Sequence, residues 1–169
     1  MVDHQNDGVA PGLTPLLPRP ENWCFGCGGA NHRGMQLIFA RDDARRRIVG
    51  RFTLGAEYQG GPGFLHGGII ATILDEAMGK VNRFHDLRAV TAELRVEYLR
   101  PVPVGEEVVV EAFGVQRSGR NLIHAAELRS CTGQLLARGR ARFVVVDDAH
   151  DRQTPRAPKP TEEQTGRQV

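Results

Sequence analysis

The sequence is short of three things. It has three cysteines, Cys24, Cys27 and Cys131, in 169 residues, too few for the disulfide framework of a small secreted domain. A reducing, cytoplasmic setting is therefore expected. It also has no long apolar run. Ile69 to Leu74 is the best stretch, far below the ~20 residues that cross a bilayer. No basic head followed by an apolar core opens the chain, so neither a membrane partner nor a signal peptide is expected. Finally, it has no strong charge imbalance: 22 Lys and Arg stand against 20 Asp and Glu, with a pI of 8.6. That balance demands no nucleic acid, although it would suit a small anion. No phosphate loop, dinucleotide fingerprint, GxSxG elbow or helix-turn-helix pattern is present.

What is present fits one soluble globular domain, 40% hydrophobic and 25% charged. Four of the ten prolines fall in residues 1–22 and three in residues 147–169. Both ends read as extended or disordered tails flanking a folded part over 23–146. One apolar segment without proline, Gly67 to about Asn82, predicts a largely buried helix. The rest reads as strand. Met35–Ala40 and Arg46–Phe52 flank the polar turn Arg41-Asp42-Asp43-Ala44. Val90, Ala92, Leu94, Val96 and Tyr98 alternate with polar residues. Val108–Gln116, Arg120–Ser130 and Leu135–Val146 follow, separated by turns at Ser118-Gly119 and Thr132-Gly133. The expectation is an α+β fold, with an antiparallel sheet of five to six strands around one long central helix. A parallel sheet lacks the crossover helices it would need.

The chemistry concentrates in Tyr58 to Lys80, YQGGPGFLHGGIIATILDEAMGK. A Gly/Pro loop delivers His66-Gly67-Gly68 to the start of the helix. There the first N–H groups have no intrahelical acceptor and the positive end of the dipole emerges, which is what an oxyanion hole requires. Two acids follow about two turns later. Glu76 has Lys80 at i+4, a supporting ion pair, and reads as part of a solvated or rim face. Asp75 has no basic neighbour at helical spacing and lies on a stripe of small residues, Gly68, Ala71, Thr72 and Gly79. A carboxylate so placed is costly unless it is useful. Cys24-x-x-Cys27 could be half a zinc site with His32 as a third ligand. No second pair with the usual spacing exists, so small buried residues beside Trp23 and Phe25 are the preferred reading, with no metal expected. Arg45-Arg46-Arg47 reads as a solvated hairpin flank, and His85 and His124 as structural.

This run, continued by Val90-Thr91-Ala92 and Tyr98-Leu99-Arg100-Pro101, resembles the PaaI-like branch of the hotdog thioesterase superfamily, notably the mammalian thioesterase-superfamily acyl-CoA hydrolases. The likeness extends loosely from Cys24 to Val146. The resemblance implies a hotdog fold, at least a dimer with active sites at the subunit interface, no cofactor, and an acyl-CoA substrate hydrolysed to free acid and CoA. It implies that Asp75 acts as nucleophile or general base, that the Gly67 N–H polarises the carbonyl, that His66 places the thioester or supports the loop, and that Thr91 orients water or the acid. Gly68, Glu97, Leu99, Arg120, Asn121 and Leu122 match positions where relatives contact substrate. Gly60, with Gln59 beside it, stands where some relatives have Asn. Thr91 shares strand parity with polar residues, so reaching Asp75 requires a bulge or an interface location. The alternatives are a non-catalytic acyl-CoA-binding or regulatory protein on the same fold and, less favoured, an enoyl-CoA hydratase, for which no histidine follows Asp75 until His85.

Overall fold

The computed structural model describes residues 12–146. One antiparallel sheet is built from β1 (Leu13–Leu16), β2 (Phe39–Asp42), β3 (Arg47–Thr53), β4 (Ala89–Tyr98), β5 (Glu107–Ser118), β6 (Asn121–Ser130) and β7 (Leu135–Val145). Their spatial order is β1-β2-β3-β5-β6-β7-β4. The helix α1 (Gly67–Val81) packs against one face, and its buried side, Ile70, Ile73, Leu74, Ala77, Met78 and Val81, meets inward residues of the sheet such as Val110, Leu128, Ala141 and Phe143. The α+β expectation holds: one long helix lies against a large antiparallel sheet. The helix ends within a residue of the expected limit.

The sheet has seven strands, not five to six. The added strand is β1, which pairs with β2 from Leu13↔Asp42 to Leu16↔Phe39. Part of the stretch expected as an N-terminal tail is therefore strand, and the sheet begins at Leu13, ahead of Trp23. Four residues are too few to show a period, and Pro15 reads as a break, although proline is tolerated on an edge strand. Residues 1–11 of that tail, and the whole C-terminal tail expected over 147–169, lie outside the described residues. β2 also starts later than expected. Gln36 has a positive φ of 48°, and the flanking Met35 and Leu37 N–H groups donate to Phe25 O and Gly26 O, each at 2.8 Å. These two residues are buried by a loop rather than by a strand partner.

β4 holds the third departure. Its pairing with β7 slips between Thr91 and Glu93, a bulge at Ala92. Beyond it Leu94, Val96 and Tyr98 pair with the inward Ala141, Gly139 and Ala137. Before it Thr91, not Val90, takes the helix-facing side, opposite buried Phe143. A bulge reverses strand parity, so strict alternation from Val90 to Tyr98 does not survive.

Where α1 ends, His124 of β6 is 2% exposed and its Nε2 lies 2.8 Å from Asn82 Oδ1. Nδ1 has no partner. Burial lowers the imidazole pKa from 6.5 to about 4; a backbone contact at Ile123 opposes the shift and His85 adds to it. The unfolded chain thus binds a proton near pH 6 that the native chain refuses, and stability falls as pH drops from about 6.5 towards 4. Between pH 7 and 5 this residue should remove about 2 kcal/mol. Chemical denaturation at both pH values should show His124→Gln losing less stability over that interval than the parent. Equal losses would rule His124 out as the cause.

Candidate active site

The loop that leads into α1 is fixed by backbone contacts. Gln59 and Phe64 bridge to Leu65 and Pro103, and His66 N–H donates to Tyr58 O at 2.9 Å. Gly60 is packed so closely that a Cβ there would lie 2.9 Å from His66 Cα. An asparagine at this position would collide with the loop, which accounts for the glycine. Gln59 turns inward on the same loop and accepts from Gly63 N–H.

His66 is the N-cap of α1. It is extended (φ −64°, ψ 137°), and its Nδ1 accepts from Gly68 N–H at 2.9 Å. Its carbonyl accepts from Ile69 and Ile70 N–H. Gly68 N–H is thereby used within the chain. Gly67 N–H has no partner among the described residues. Tyr98, at the end of β4, donates its hydroxyl to Gly67 O at 3.0 Å and lays its ring against the same glycine. Sequence reasoning missed Tyr98 as a support of the helix start, although the Tyr98-Leu99-Arg100-Pro101 run was noted.

Asp75 is half-buried two turns along the helix. Thr91 Oγ1 donates to Asp75 Oδ1 at 2.8 Å, through the parity switch that the Ala92 bulge supplies. No cation pairs with Asp75 among the described residues. Its pKa is raised above the ordinary carboxylate value, chiefly by burial; the Thr91 hydrogen bond opposes the rise and the neighbouring Glu76 charge adds to it. Glu76 has the opposite surroundings. The expected pair with Lys80 forms, Nζ lying at 3.2 Å, but the side chain is only 17% exposed and also has Cys24 Sγ at 3.1 Å. Burial alone would raise its pKa, but Lys80 and the thiols of Cys27 and Cys24 outweigh burial and hold it low.

The remaining expected substrate contacts sort into two ends of the sheet. Glu97 and Leu99 flank Tyr98 at the Gly67 end. Glu97 faces away from α1 and is paired with Arg138 at 2.6 Å, while Leu99 is exposed. Arg120 and Asn121 lie at the Asp75 end, because Asn121 pairs with Val144, which pairs with Val90. Arg120 donates twice to Val145 O, and Asn121 Oδ1 accepts from Arg142. Leu122 is corrected: it is 1% exposed inside the core, so its side chain cannot touch a ligand. Its strand parity points inward, opposite Phe143. His32 is exposed and takes no part in the Cys24, Cys27 and Glu76 cluster.

Residues 62–137 match the family model described as "Thioesterase superfamily". They are a thioesterase-superfamily segment on a hotdog fold. Among curated relatives, acyl-coenzyme A thioesterase THEM4 of Rattus norvegicus is 34% identical over 115 residues, covering 68% of this chain and 50% of that protein. The chain thus spans about half the length of that relative. A crystal structure of a thioesterase superfamily protein superposes with a TM-score of 0.68 at 28% identity, covering 73% of this chain and 60% of that one. The smu.793 protein of Streptococcus mutans UA159, bound to acetyl CoA, superposes with a TM-score of 0.57 at 20% identity, over 59% of this chain and 81% of that one. At that identity the likeness is one of fold. Among the described residues no helix is long and apolar enough to cross a membrane.

The Asp75–Thr91 contact in this thioesterase-superfamily segment has a measurable consequence. The hydroxyl stabilises the charged carboxylate, so Thr91→Val should move the Asp75 titration to higher pH. Carboxyl-carbon NMR across a pH series reads this directly. An unchanged or lowered midpoint would show that the hydrogen bond does not act on Asp75.

Proposed function

We propose that the protein hydrolyses the thioester of an acyl-CoA, releasing the free acid and CoA. One observation carries this reading: α1 presents a half-buried carboxylate whose hydrogen-bond partner is a neutral hydroxyl, and begins with a backbone N–H that has no partner among the described residues. Asp75, held by Thr91, attacks the thioester carbonyl or draws a proton from the water that does. Gly67 N–H takes the developing oxyanion. The thiolate of CoA leaves and is protonated; where Asp75 itself has attacked, water then cleaves the acyl–Asp75 anhydride, releasing the free acid and restoring the carboxylate. The THEM4 name and the acetyl CoA bound by the smu.793 protein support this substrate class.

A single copy cannot supply both groups to one carbonyl. Eight residues of helix separate Gly67 from Asp75, about 12 Å of rise. An attacking oxygen ~3 Å from the carbon and a donor ~3 Å from the oxygen of the same carbonyl stand no more than about 7 Å apart. The proposed site therefore takes Asp75 from one copy and Gly67 from another. β4 offers the surface for it. It is an edge strand of ten residues with Val90, Leu94, Tyr98 and Leu99 exposed along it or just beyond, the kind of edge that is otherwise a pairing hazard.

The test begins with thiol release over short, aromatic and long acyl-CoAs. Asp75→Asn should lower the rate at least about a hundredfold with an unchanged circular dichroism spectrum; parental turnover would remove Asp75 from the mechanism. Gly67→Pro deletes the N–H at the first helical position, where proline is well accommodated, and should also be inactive. When the two inactive chains are unfolded together and refolded as a mixture, shared sites predict recovery of up to about a quarter of parental activity, because half the dimers are mixed and one of their two sites is intact. No recovery would mean that each copy works alone.

A further inference from the structure

The N-terminal segment holds a cluster that the hydrolytic reading does not use. Cys24 and Cys27 sit three residues apart in a turn closed by Gly28 N–H to Cys24 O at 2.9 Å, with Cys24 N–H held by Asn22 Oδ1 at 3.0 Å. The carbonyls of Phe25 and Gly26, inside this turn, accept from Met35 and Leu37, both nearly inaccessible. From the facing side of α1 comes Glu76, with Oε1 3.1 Å from Cys24 Sγ. The two sulfurs and a Glu76 oxygen all lie within 4.8 Å of one another. The other oxygen, Oε2, is held by Lys80 Nζ at 3.2 Å, and Lys80 is itself only 11% exposed.

Two glycines make this apposition possible. A Cβ on Gly28 would lie 2.5 Å from both Asn22 O and Cys24 N, and one on Gly26 would lie 2.5 Å from Glu76 Cγ. Any other residue at Gly28 would open the turn, and a side chain at Gly26 would push Glu76 off the sulfurs. The donor set is chemically selective. Two thiolates and a carboxylate suit a borderline-soft divalent ion; Mg²⁺ and Ca²⁺ take oxygen ligands and leave thiols alone. Zn–S and Zn–O bonds of about 2.3 and 2.1 Å at tetrahedral angles put ligand atoms about 3.6–3.8 Å apart, a separation the cluster meets with small side-chain movements. Charge balances as well. A Zn²⁺ ion replaces two thiol protons, which leave to solvent, while Lys80 continues to offset Glu76. The half-covered site therefore gains no net charge.

We propose that Cys24, Cys27 and Glu76 form a zinc(II) site, with two Sγ atoms and Glu76 Oε1 as ligands and solvent in the fourth tetrahedral position. The ion clips the segment around residues 22–37 to a side of α1 about 100° around from Asp75's contact with β4. The sequence offered His32 as the third ligand; the fold supplies a helix residue about fifty positions away instead.

The test uses the full chain carrying Cys131→Ser, reduced, freed of metal by a chelator and titrated with Co²⁺, then with Zn²⁺ followed by desalting and elemental analysis. The expected result is one ion per chain. Cobalt should give the strong visible bands of a tetrahedral centre and a near-ultraviolet thiolate charge-transfer band, both lost on adding excess Zn²⁺. Cys24→Ser and Cys27→Ser, nearly isosteric changes, should abolish the charge-transfer band or halve it, with circular dichroism confirming the fold. Glu76→Gln should weaken binding at least about tenfold. Asp75→Asn should bind as the parent does. A reduced chain that retains no metal, a cobalt complex without the thiolate band, or binding unaffected by Cys27→Ser would each overturn the site. Because no substrate enters these measurements, their failure and the failure of the hydrolytic reading are separate results.

Discussion

Everything proposed for the site depends on Asp75 keeping its carboxyl half-covered with Thr91 as its hydrogen-bond partner. A cation at hydrogen-bond distance would hold the group permanently charged and engaged, as Lys80 does for Glu76. A neutral hydroxyl orients the carboxyl and stabilises its charge without neutralising it, while burial works the other way. Adjacent residues on a helix point about 100° apart. That rotation alone sends Asp75 to the sheet edge and Glu76 beneath the Cys24–Cys27 turn. Two acids of near-identical chemistry are thereby given opposite tasks.

The contact exists because β4 changes parity. Had the strand kept strict alternation, Thr91 would share the outer face with Glu93 and Arg95, and Asp75 would meet an alanine methyl. The extra residue at Ala92 turns Thr91 inward and leaves Leu94, Val96 and Tyr98 on the helix side. The same strand then reaches the other end of α1, where Tyr98 holds the Gly67 carbonyl. One edge strand thus braces both the acid and the unpartnered amide, so a shift of β4 would disturb the two together.

Local patterns were legible in the sequence to the extent that they produced local structure. The proline-free apolar run after His66-Gly67-Gly68 gave α1 to within a residue, and the Ser118-Gly119 and Thr132-Gly133 turns delimited β5, β6 and β7. Asp75 stood out because no base lay at helical spacing, a test the sequence can answer. Thr91 was reachable only with a bulge, which a period-two pattern does not announce. The Glu76–Lys80 pair was legible from its i+4 spacing, but not what covers it, which arrives from Cys24, fifty-two residues earlier. Leu122 was named for a ligand contact through the resemblance alone, and its register in β6 turns it into the core. β1 was hidden by its length, and the start of β2 by the left-handed Gln36 that diverts Met35 and Leu37 to another partner.

The sorting of site features to two ends of β4 bears directly on the proposed assembly. Thr91 and Asp75 mark one end of that strand; Tyr98, Gly67, Glu97 and Leu99 mark the other. Two identical edges related by a two-fold axis pair antiparallel. If the axis passes near the strand's midpoint, around Leu94 and Arg95, the Thr91 end of one copy lies beside the Tyr98 end of the second. Both ends then become complete at once, and twice, without any residue in the helix having to move. A parallel pairing would set Thr91 beside Thr91 and leave carboxylate and amide as far apart as they are in one chain. The separation along α1, which forbids a site within a single copy, is thus the separation that antiparallel edge pairing is suited to close.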